Sequence, residues 1–366
     1  MLKTSFISCL ALCGLVACST KDNQVDVLIG THTDEGSEGI YTLKVDQEKG
    51  TWKLVTVSKS ANPSYFAQLP GTSTIFVSNQ NKTPEDAVER YSYDPATGAM
   101  TAHEAQLTAT IGPCYVSTNG KLVLAANYAG GSLDVFKLDS EGKLLPCSQV
   151  FKGTASGPVM PNQEVPHVHC AVFTPDGKYA LATDFSADRI MHFKVGEEGL
   201  EPLASHPYTE VKPGSGPRHI LFSNDGKMVY VISELSGEVT VFSYHDGILE
   251  TKQVIMADEQ VGAAGSADIH MSPDGKFLYT SHRLQGEGIS VFKVDRKSGL
   301  LTRIGFQPSE EHPRHFNMTP NGKYILCACR NGNAVQIFKR NPRTGLLTDT
   351  GEVFKVSHPI CVYFPQ

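Results

Sequence analysis

The sequence predicts an all-β protein, a seven-bladed β-propeller with four antiparallel strands in each blade. Three observations lead to this prediction. A β-hairpin pattern recurs along the chain at a spacing of about 50 residues, which is typical of repeat folds. Each full repeat contains four apolar runs, and the last repeat stops after its first run.

The hairpin pattern is clearest where two apolar runs flank a polar turn that ends in Gly-Lys. Asp-Gly and Asn-Gly pairs suit tight hairpin turns, so we interpret these turns as structural. The four clearest turns are separated by 49, 49 and 47 residues and contain Gly177, Gly226, Gly275 and Gly322. Weaker or partial copies of the hairpin occupy 62–79, 112–127 and 358–364.

The four apolar runs of each repeat alternate between apolar and polar residues. In the repeat that begins at Gly216, these runs are HILFS, MVYVIS, EVTVFSYH and ILETKQVIM. Alternation and β-branched content predict strands, and we find no convincing stretch of helical period. Four-stranded units arranged radially form a β-propeller, whose closure removes exposed sheet edges.

Closure of the ring is predicted from the two ends of the chain. The final segment, HPICVYF at 358–364, resembles the first strand of a repeat but has no second strand after it. We expect three N-terminal segments, DVLIGTH, GIYTLKVD and TWKLVTVSK, to complete its blade. This arrangement brings the number of blades to seven and predicts a single propeller domain over residues 25–366.

The first residues of the chain indicate export. Lys3 precedes an apolar run that is too short to span a bilayer, so residues 1–17 are predicted to be a signal peptide. Its end, LVAC, resembles the lipobox of bacterial lipoproteins, which implies a lipid on Cys18 and an anchor and tether over residues 18–24. An ordinary signal peptide with a chance cysteine is the alternative. We therefore expect an exported protein, lipid-anchored to a bacterial outer membrane and facing the periplasm or the surface.

Composition excludes some classes of partner and chemistry. The net charge is −6 and no basic tract occurs, so nucleic acid is not an expected partner. Six cysteines lie outside the predicted signal and none forms a C-x-x-C pair; we expect most of them to be buried apolar residues. There is no H-E-x-x-H motif and no G-x-S-x-G motif, so neither a metal nor an acyl-serine route is predicted, and no cofactor is expected.

Ionisable residues cluster at one predicted rim of the propeller. The first strand of a blade is innermost and the second is antiparallel to it, so the first begins where the second ends. Arg218 and His219 begin one first strand, and Glu234 ends the strand that follows. Equivalent positions in other repeats hold Asn127, Tyr128, His167, His169, Arg283, Arg314, His315 and Arg330. Because guanidinium groups bind carboxylate and phosphate through paired donors, we predict an anionic ligand at this mouth.

Short motifs at these positions resemble those of one family. They are NPSY (62–65), NYAGGS (127–132), PHVH (166–169), GPRH (216–219), ISEL (232–235), FLYTSHR (277–283) and PRHF (313–316). In this order and spacing the chain resembles the seven-bladed lactonase family. That family includes bacterial 6-phosphogluconolactonases of the cycloisomerase type and fungal 3-carboxy-cis,cis-muconate lactonizing enzymes. The resemblance covers about residues 28–364.

The resemblance implies metal-independent lactone chemistry that uses one histidine, two arginines and one glutamate. Matched by motif, these are Arg218, Glu234, the second arginine Arg283, and either His167 or His169. We expect Glu234 to act as a general base and the arginines to hold an anionic substituent or an oxyanion. The residues predicted to contact substrate are Asn127, Tyr128, His219, Arg314, His315 and Arg330.

The predicted activity is hydrolysis of an anionic, sugar-type lactone, as in 6-phosphogluconolactonases. Export argues against cytosolic 6-phosphogluconolactone itself as the natural substrate. One alternative is a muconate-type lactonizing enzyme, a cycloisomerase that uses the same residues. The other is a non-catalytic propeller that binds acidic sugars or a protein partner, with Arg218 and Glu234 as a structural ion pair.

Overall fold

The computed structural model describes residues 23–153 and 156–366. Within these ranges the chain forms 29 β-strands and one short 3-10 helix, Thr33–Glu35. None of the helical structure described is long and apolar enough to cross a membrane. The predicted signal peptide and the lipidation site Cys18 lie outside the described residues.

The strands follow one another in the order of the repeats. The first seven are β1 (Gln24–Thr31), β2 (Gly39–Asp46), β3 (Trp52–Lys59), β4 (Pro63–Gln68), β5 (Thr74–Asn79), β6 (Ala87–Tyr93) and β7 (Met100–Leu107). The next nine are β8 (Pro113–Thr118), β9 (Leu122–Asn127), β10 (Ser132–Leu138), β11 (Leu144–Lys152), β12 (Val168–Phe173), β13 (Tyr179–Asp184), β14 (Arg189–Val195), β15 (Leu200–Pro202) and β16 (Tyr208–Glu210). The following eight are β17 (Pro217–Phe222), β18 (Met228–Ser233), β19 (Glu238–His245), β20 (Ile248–Met256), β21 (Ser266–Met271), β22 (Phe277–His282), β23 (Gly288–Val294) and β24 (Leu301–Pro308). The last five are β25 (Pro313–Met318), β26 (Tyr324–Cys329), β27 (Ala334–Arg340), β28 (Leu347–Lys355) and β29 (Pro359–Tyr363).

Seven sheets form the blades of a propeller. We number them by sequence as blade 1 (β4–β7), blade 2 (β8–β11), blade 3 (β12–β16), blade 4 (β17–β20), blade 5 (β21–β24), blade 6 (β25–β28) and blade 7. Blade 7 has the order β29-β1-β2-β3, so the last strand of the chain is innermost and three N-terminal strands complete the sheet. The predicted number of blades and the predicted closure are both confirmed.

Blade 3 departs from the predicted four-strand pattern at its outer edge. Two short strands take the place of one there, because β15 pairs with one end of β14 and β16 pairs with the other end. Pro202 and Pro207 flank the interruption. Neither has an N–H group to donate to a continuous ladder, which accounts for the break.

The hairpin turns that connect the first and second strands of the blades lie on the rim opposite the ionisable cluster. In blade 3, Lys178 donates its backbone N–H to the Asp176 side chain at 3.1 Å, and Gly177 has φ of +69°. The equivalent glycines also have positive φ, namely Gly226 (71°), Gly275 (65°) and Gly322 (71°). Since glycine adopts this conformation without strain, the turn residues have the geometry that their structural interpretation requires.

The apolar core lies between the faces of neighbouring blades. For example, Tyr230 and Val241 of blade 4 pack in one cluster with Leu278 and Phe292 of blade 5. Each such side chain contributes roughly 1.5–3 kcal/mol when it is fully buried. Five of the six described cysteines are buried, as expected, and all six are free thiols.

Candidate active site

A cavity of about 200 Å³ opens at the mouth of the central channel, on the rim where the first strands begin. We call it the mouth cavity. Two repeating backbone positions, one from each of the two inner strands of a blade, supply nearly all of its wall. Its volume lies below the roughly 300–1,000 Å³ of pockets that hold drug-sized ligands, so it suits a small molecule.

The first repeating position is the residue directly after the second strand. In the order of blades 7 and 1 to 6, these residues are His32, Gln80, Tyr128, Phe185, Glu234, Arg283 and Arg330. In all seven blades the backbone N–H of this residue donates to a carbonyl just before the first strand, at 2.8–3.0 Å. All except Phe185, which is buried, line the mouth cavity. This repeated hydrogen bond therefore fixes one residue from each blade at the same level of the central channel.

The second repeating position is a β-bulge near the start of the first strand. The residues left unpaired are Ser64, Cys114, His169, Arg218, Arg314 and Ile360, together with the Ala267–Asp268 pair in blade 5. A bulge interrupts the alternation of side chains along a strand and re-aims the extra one. Cys114, His169 and Arg314 thereby line the mouth cavity. Tyr115 and His315, each one residue further along, instead line a second cavity of about 330 Å³ lower in the channel.

Arg218, Glu234 and Arg283 form one hydrogen-bonded unit. Arg218 Nε donates to Glu234 Oε2 at 2.9 Å, and Arg283 Nη2 lies 2.8 Å from the same oxygen. Arg218 also donates through Nη1 to the Ala267 carbonyl at 2.6 Å, and Arg283 donates through Nε to the Gly265 carbonyl at 3.0 Å. Each guanidinium is thus fixed by backbone as well as by Glu234. The sequence placed these three residues at one rim, and the structure brings them into contact.

The electrostatic environment keeps Glu234 ionised. Burial opposes ionisation, but the charges of Arg283, Arg218 and Arg314 outweigh it and hold the pKa of Glu234 below its usual value. Burial, followed by the nearby positive charges of Arg218 and Arg283, lowers the pKa of Arg314 to about 9. Arg314 is therefore still cationic at neutral pH.

The part of the mouth cavity formed by blade 6 and the loop after β5 carries cations without a carboxylate partner. Arg314, Arg330 and Lys82 line it, and none of the three forms an ion pair within residues 23–153 and 156–366. Arg330 Nε is buried and has no hydrogen-bond partner. Burial and the charges of Arg314 and Arg330 lower the pKa of the neighbouring His32 to about 3, so this histidine is neutral. Four cations and one carboxylate, Glu234, lie among the described lining residues.

The two candidate histidines have different positions. His169 lines the mouth cavity, and its Nδ1 is buried with no hydrogen-bond partner. Burial and the nearby Arg218 hold the pKa of His169 well below its usual value, so the ring is neutral. His167 lies beside the cavity, stacked on the Tyr128 ring at 4.1 Å, with Nδ1 donating to the Tyr128 carbonyl at 2.6 Å. Of the two, His169 lines the mouth cavity together with Glu234, and His167 does not.

Three residues that the sequence assigned to substrate binding do not line the mouth cavity. Asn127 is fully buried and donates to the Ser132 hydroxyl at 2.9 Å. His219 and His315 are buried lower in the channel, where both approach Asp268. The bulge explains this placement, because it directs Arg314 to the mouth cavity and the residues after the two arginines away from it. Arg218 itself is 1% exposed and does not line the cavity, but it contacts the lining residue Glu234. Tyr128, Arg314 and Arg330, also predicted to contact substrate, do line the cavity.

Sequence reasoning missed four lining residues, His32, Gln80, Lys82 and Cys114. The signal for His32 and Gln80 was present, since both occupy the position directly after a second strand that Glu234 and Arg283 occupy in their blades. Cys114 precedes Tyr115 as Arg218 precedes His219. Lys82 follows no repeating position, and only the local course of the loop after β5 brings it to the cavity.

Comparison with known proteins gives one family over nearly the whole chain. The family model described as Lactonase, 7-bladed beta-propeller matches residues 26–364. A 6-phosphogluconolactonase of Bacillus subtilis is 34% identical over 345 residues, which cover 92% of this chain and 97% of that protein. A 6-phosphogluconolactonase of Formosa agariphila is 32% identical over 336 residues, 88% of this chain and 94% of that protein.

Solved structures agree with this family. A Bacteroides fragilis protein with a provisional 6-phosphogluconolactonase name has a TM-score of 0.92 and 42% identity, over 95% of this chain and 99% of that chain. A periplasmic gluconolactonase of Pseudomonas aeruginosa has a TM-score of 0.88 and 31% identity, over 93% of this chain and 99% of that chain. The family predicted from the motifs is therefore confirmed.

Proposed function

Because this chain belongs to the seven-bladed β-propeller lactonase family, we propose that it hydrolyses a small anionic sugar lactone at the mouth cavity without a metal ion. The charge arrangement carries this proposal. Glu234 is the one carboxylate among the described lining residues, and Lys82, Arg283, Arg314 and Arg330 surround it. A carboxylate can take a proton from water, and fixed cations can stabilise negative charge on a lactone.

Glu234 is the proposed general base. Both arginine contacts go to Oε2, while Oε1 has no hydrogen-bond partner among the described residues and is free to accept one from water. The lowered pKa of Glu234 keeps it ionised but also makes it a weaker base. A sugar lactone is an activated ester, and general-base assistance of roughly 10²–10⁴-fold is enough for such a substrate.

The proposed reaction is an addition followed by ring opening. The water oxygen attacks the lactone carbonyl carbon while Glu234 Oε1 takes the water proton. The tetrahedral oxyanion forms beside Arg218 or Arg283, an interaction worth roughly 10²–10³-fold per donor. The bond between the carbonyl carbon and the ring oxygen then breaks, and the ring oxygen takes the proton back to give the open hydroxy acid. We propose that His169 carries that proton from Glu234, and its neutral ring and unpartnered Nδ1 support this role.

The side of the cavity with unpaired cations is the proposed site for the anionic substituent. Arg314 and Arg330 have no carboxylate partner among the described residues, so their charge is left for a ligand. Hydrogen bonds to charged groups contribute about 1.5–3 kcal/mol each. Lys82, exposed at the edge, adds attraction that salt can screen.

A panel of lactones tests the proposed function. Purified protein is assayed against sugar lactones that carry a phosphate, a carboxylate or no charge, and ring opening is followed as acid release. We expect kcat/KM to be higher for both anionic classes than for the neutral one. Equal kcat/KM for neutral and anionic substrates would remove the role of the arginines, and no turnover of any lactone would leave a binding protein for acidic sugars.

Export and lipidation form a separate proposal. The name of the Pseudomonas aeruginosa relative places that protein in the periplasm, which supports export of this one. We propose that Cys18 carries a lipid that anchors the domain. Replacing Cys18 with Ala should release the protein from membranes or block its processing, as measured by fractionation and mass spectrometry of the N-terminus. A wild-type protein that fractionates as soluble with an unmodified N-terminus contradicts the anchor.

A further inference from the structure

Asp268 is a buried carboxylate below the mouth cavity that the proposed reaction does not use. It belongs to the bulge of blade 5, and its side chain is 2% exposed. The backbone N–H groups of Ile269 and Phe316 donate to it at 2.9 and 3.0 Å. Three imidazole nitrogens also approach it, those of His219 (2.9 Å), His270 (3.1 Å) and His315 (3.5 Å). Although burial opposes ionisation, the electrostatic interactions with His315 and His270 and the hydrogen bonds from His219 and His270 hold the pKa of Asp268 well below its usual value.

The cluster has the spacing of a metal site but not the hydrogen bonding of one. Asp268, His270 and His315 each offer a ligand atom within 4.8 Å of the others. The backbone N–H of Val362 donates to His315 Nδ1 at 3.2 Å, so the neutral ring carries its proton on Nε2, which faces Asp268. A metal would need the lone pair of that nitrogen, and a ligating histidine normally donates from its other one. These imidazole N–H groups therefore act as hydrogen-bond donors to the Asp268 carboxylate and not as metal ligands.

The same carboxylate determines which nitrogen of His219 carries the proton. An ionised carboxylate can only accept, so His219 Nδ1, 2.9 Å from Asp268 Oδ1, carries the hydrogen. His219 Nε2 then holds a lone pair and lies 3.1 Å from Arg218 Nη1, which can only donate. The opposite tautomer would place two N–H groups against each other.

This hydrogen bond completes the fixation of Arg218. Nη1 donates to His219 Nε2 and to the Ala267 carbonyl, and Nε donates to Glu234. Nη2 makes no hydrogen bond to the described residues. We propose that Asp268 is a positioning residue, which acts through His219 to orient the Arg218 guanidinium against Glu234 and the substrate. The proposal rests on the lactonase function, because its effect on turnover requires Arg218 to act in the reaction.

Nuclear magnetic resonance tests the tautomers without any need for activity. Histidine labelled with ¹⁵N is incorporated into the protein, and the ring signals are assigned by loss in His219→Phe and His315→Gln. We expect the proton of His219 on Nδ1 and that of His315 on Nε2. A His219 proton on Nε2, or a charged His219 ring at neutral pH, overturns the proposal even if the protein is a good lactonase.

Steady-state kinetics of His219 variants show whether this residue positions Arg218 or only fills space in the channel. His219→Phe keeps the ring volume but removes the acceptor for Arg218, whereas His219→Gln offers an amide oxygen to Arg218 and an amide N–H to Asp268. We expect kcat of the Phe variant to fall roughly 10- to 100-fold, as for a misplaced catalytic group, with KM nearly unchanged. The Gln variant should recover most of that loss. His270→Phe is the matched control, since it also removes a donor to Asp268 but has no contact with Arg218.

A double-mutant cycle tests whether Asp268 acts through His219. We expect Asp268→Asn to lower kcat in the wild-type background and to have little further effect in His219→Phe. Additive losses, or equal kcat in the Phe and Gln variants, overturn the proposal. If Asp268→Asn does not fold, as judged by its melting curve, the two His219 variants and the tautomers decide the matter. A wild type that hydrolyses no lactone contradicts the proposed function and leaves the tautomer test in place.

Discussion

Two parts of the mouth cavity are built from the same backbone positions, but the arginines of one part have a carboxylate partner and those of the other part do not. In the paired half, Arg218 and Arg283 of blades 4 and 5 lie 2.8–2.9 Å from Glu234. In the open half, Arg314 and Arg330 of blade 6 have no carboxylate partner among the described residues. Partly buried charges are costly unless they are paired, and under the proposed function the anionic substituent of the substrate is the missing partner of the open half. If the proposed function is right, the same repeated backbone positions provide a reacting group in blade 4 and a binding site for an anion in blade 6.

The strongest test of the paired half is Glu234→Gln. Glutamine keeps the size of the side chain but cannot take a proton, so we expect kcat to fall roughly 10²-fold or more, in line with loss of a general base. KM should change less, because the open half still binds the anion. Steady-state kinetics and a melting curve measure both properties.

A matched substitution outside the cavity controls for this change. Glu310 is exposed and does not line the mouth cavity, so Glu310→Gln should leave kcat unaltered. If Glu234→Gln is folded and retains near-wild-type kcat, Glu234 is only the ion-pair partner of Arg218. The base would then have to be His169 or His167.

The open half is tested by Arg330→Gln. Loss of a charge-assisted hydrogen bond worth about 1.5–3 kcal/mol raises KM for an anionic lactone roughly 10- to 100-fold. We expect kcat to change little, and KM for a neutral lactone to stay the same. Arg343→Gln, at an exposed residue that does not line the cavity, removes the same charge as a control. An equal rise of KM for neutral and anionic substrates would show that Arg330 shapes the cavity and does not bind charge.

The pH profile follows from the charges of the paired half. Glu234 acts as a carboxylate and its pKa is lowered, so kcat/KM should fall only at pH values below the ordinary titration of glutamic acid. Arg283→Gln removes the largest favourable charge, which raises the pKa of Glu234 and moves the acid limb to higher pH. An acid limb that persists in a folded Glu234→Gln variant would instead indicate a histidine base, since burial and Arg218 also hold the pKa of His169 below its usual value.

The ring was predictable from the sequence, whereas the direction of each side chain within it was not. The spacing of the turn glycines and the unpaired first-strand segment at 358–364 predicted the number of blades and the closure of the ring. Both could be predicted because the order and spacing of strands along the chain determine which strands pair in a propeller. The residue pattern of a single repeat does not reveal its bulge. Without them His219 and His315 were expected at the mouth beside Arg218 and Arg314. The bulge at each strand instead directs consecutive side chains to different levels of the channel.

The smallest expected effect belongs to Lys82, at the exposed edge of the open half. An exposed charge contributes about 0.2–1 kcal/mol, so Lys82→Gln should raise KM for an anionic lactone by no more than about fivefold. Because salt screens exposed charges, the difference from wild type should vanish as ionic strength approaches about 1 M, whereas the effect of Arg330→Gln should largely persist. Lys121→Gln, exposed in the hairpin turn of blade 2 and therefore on the opposite rim, is the control. A Lys82 effect as large as that of Arg330, and insensitive to salt, would move the centre of the anion site from the buried arginines to the rim.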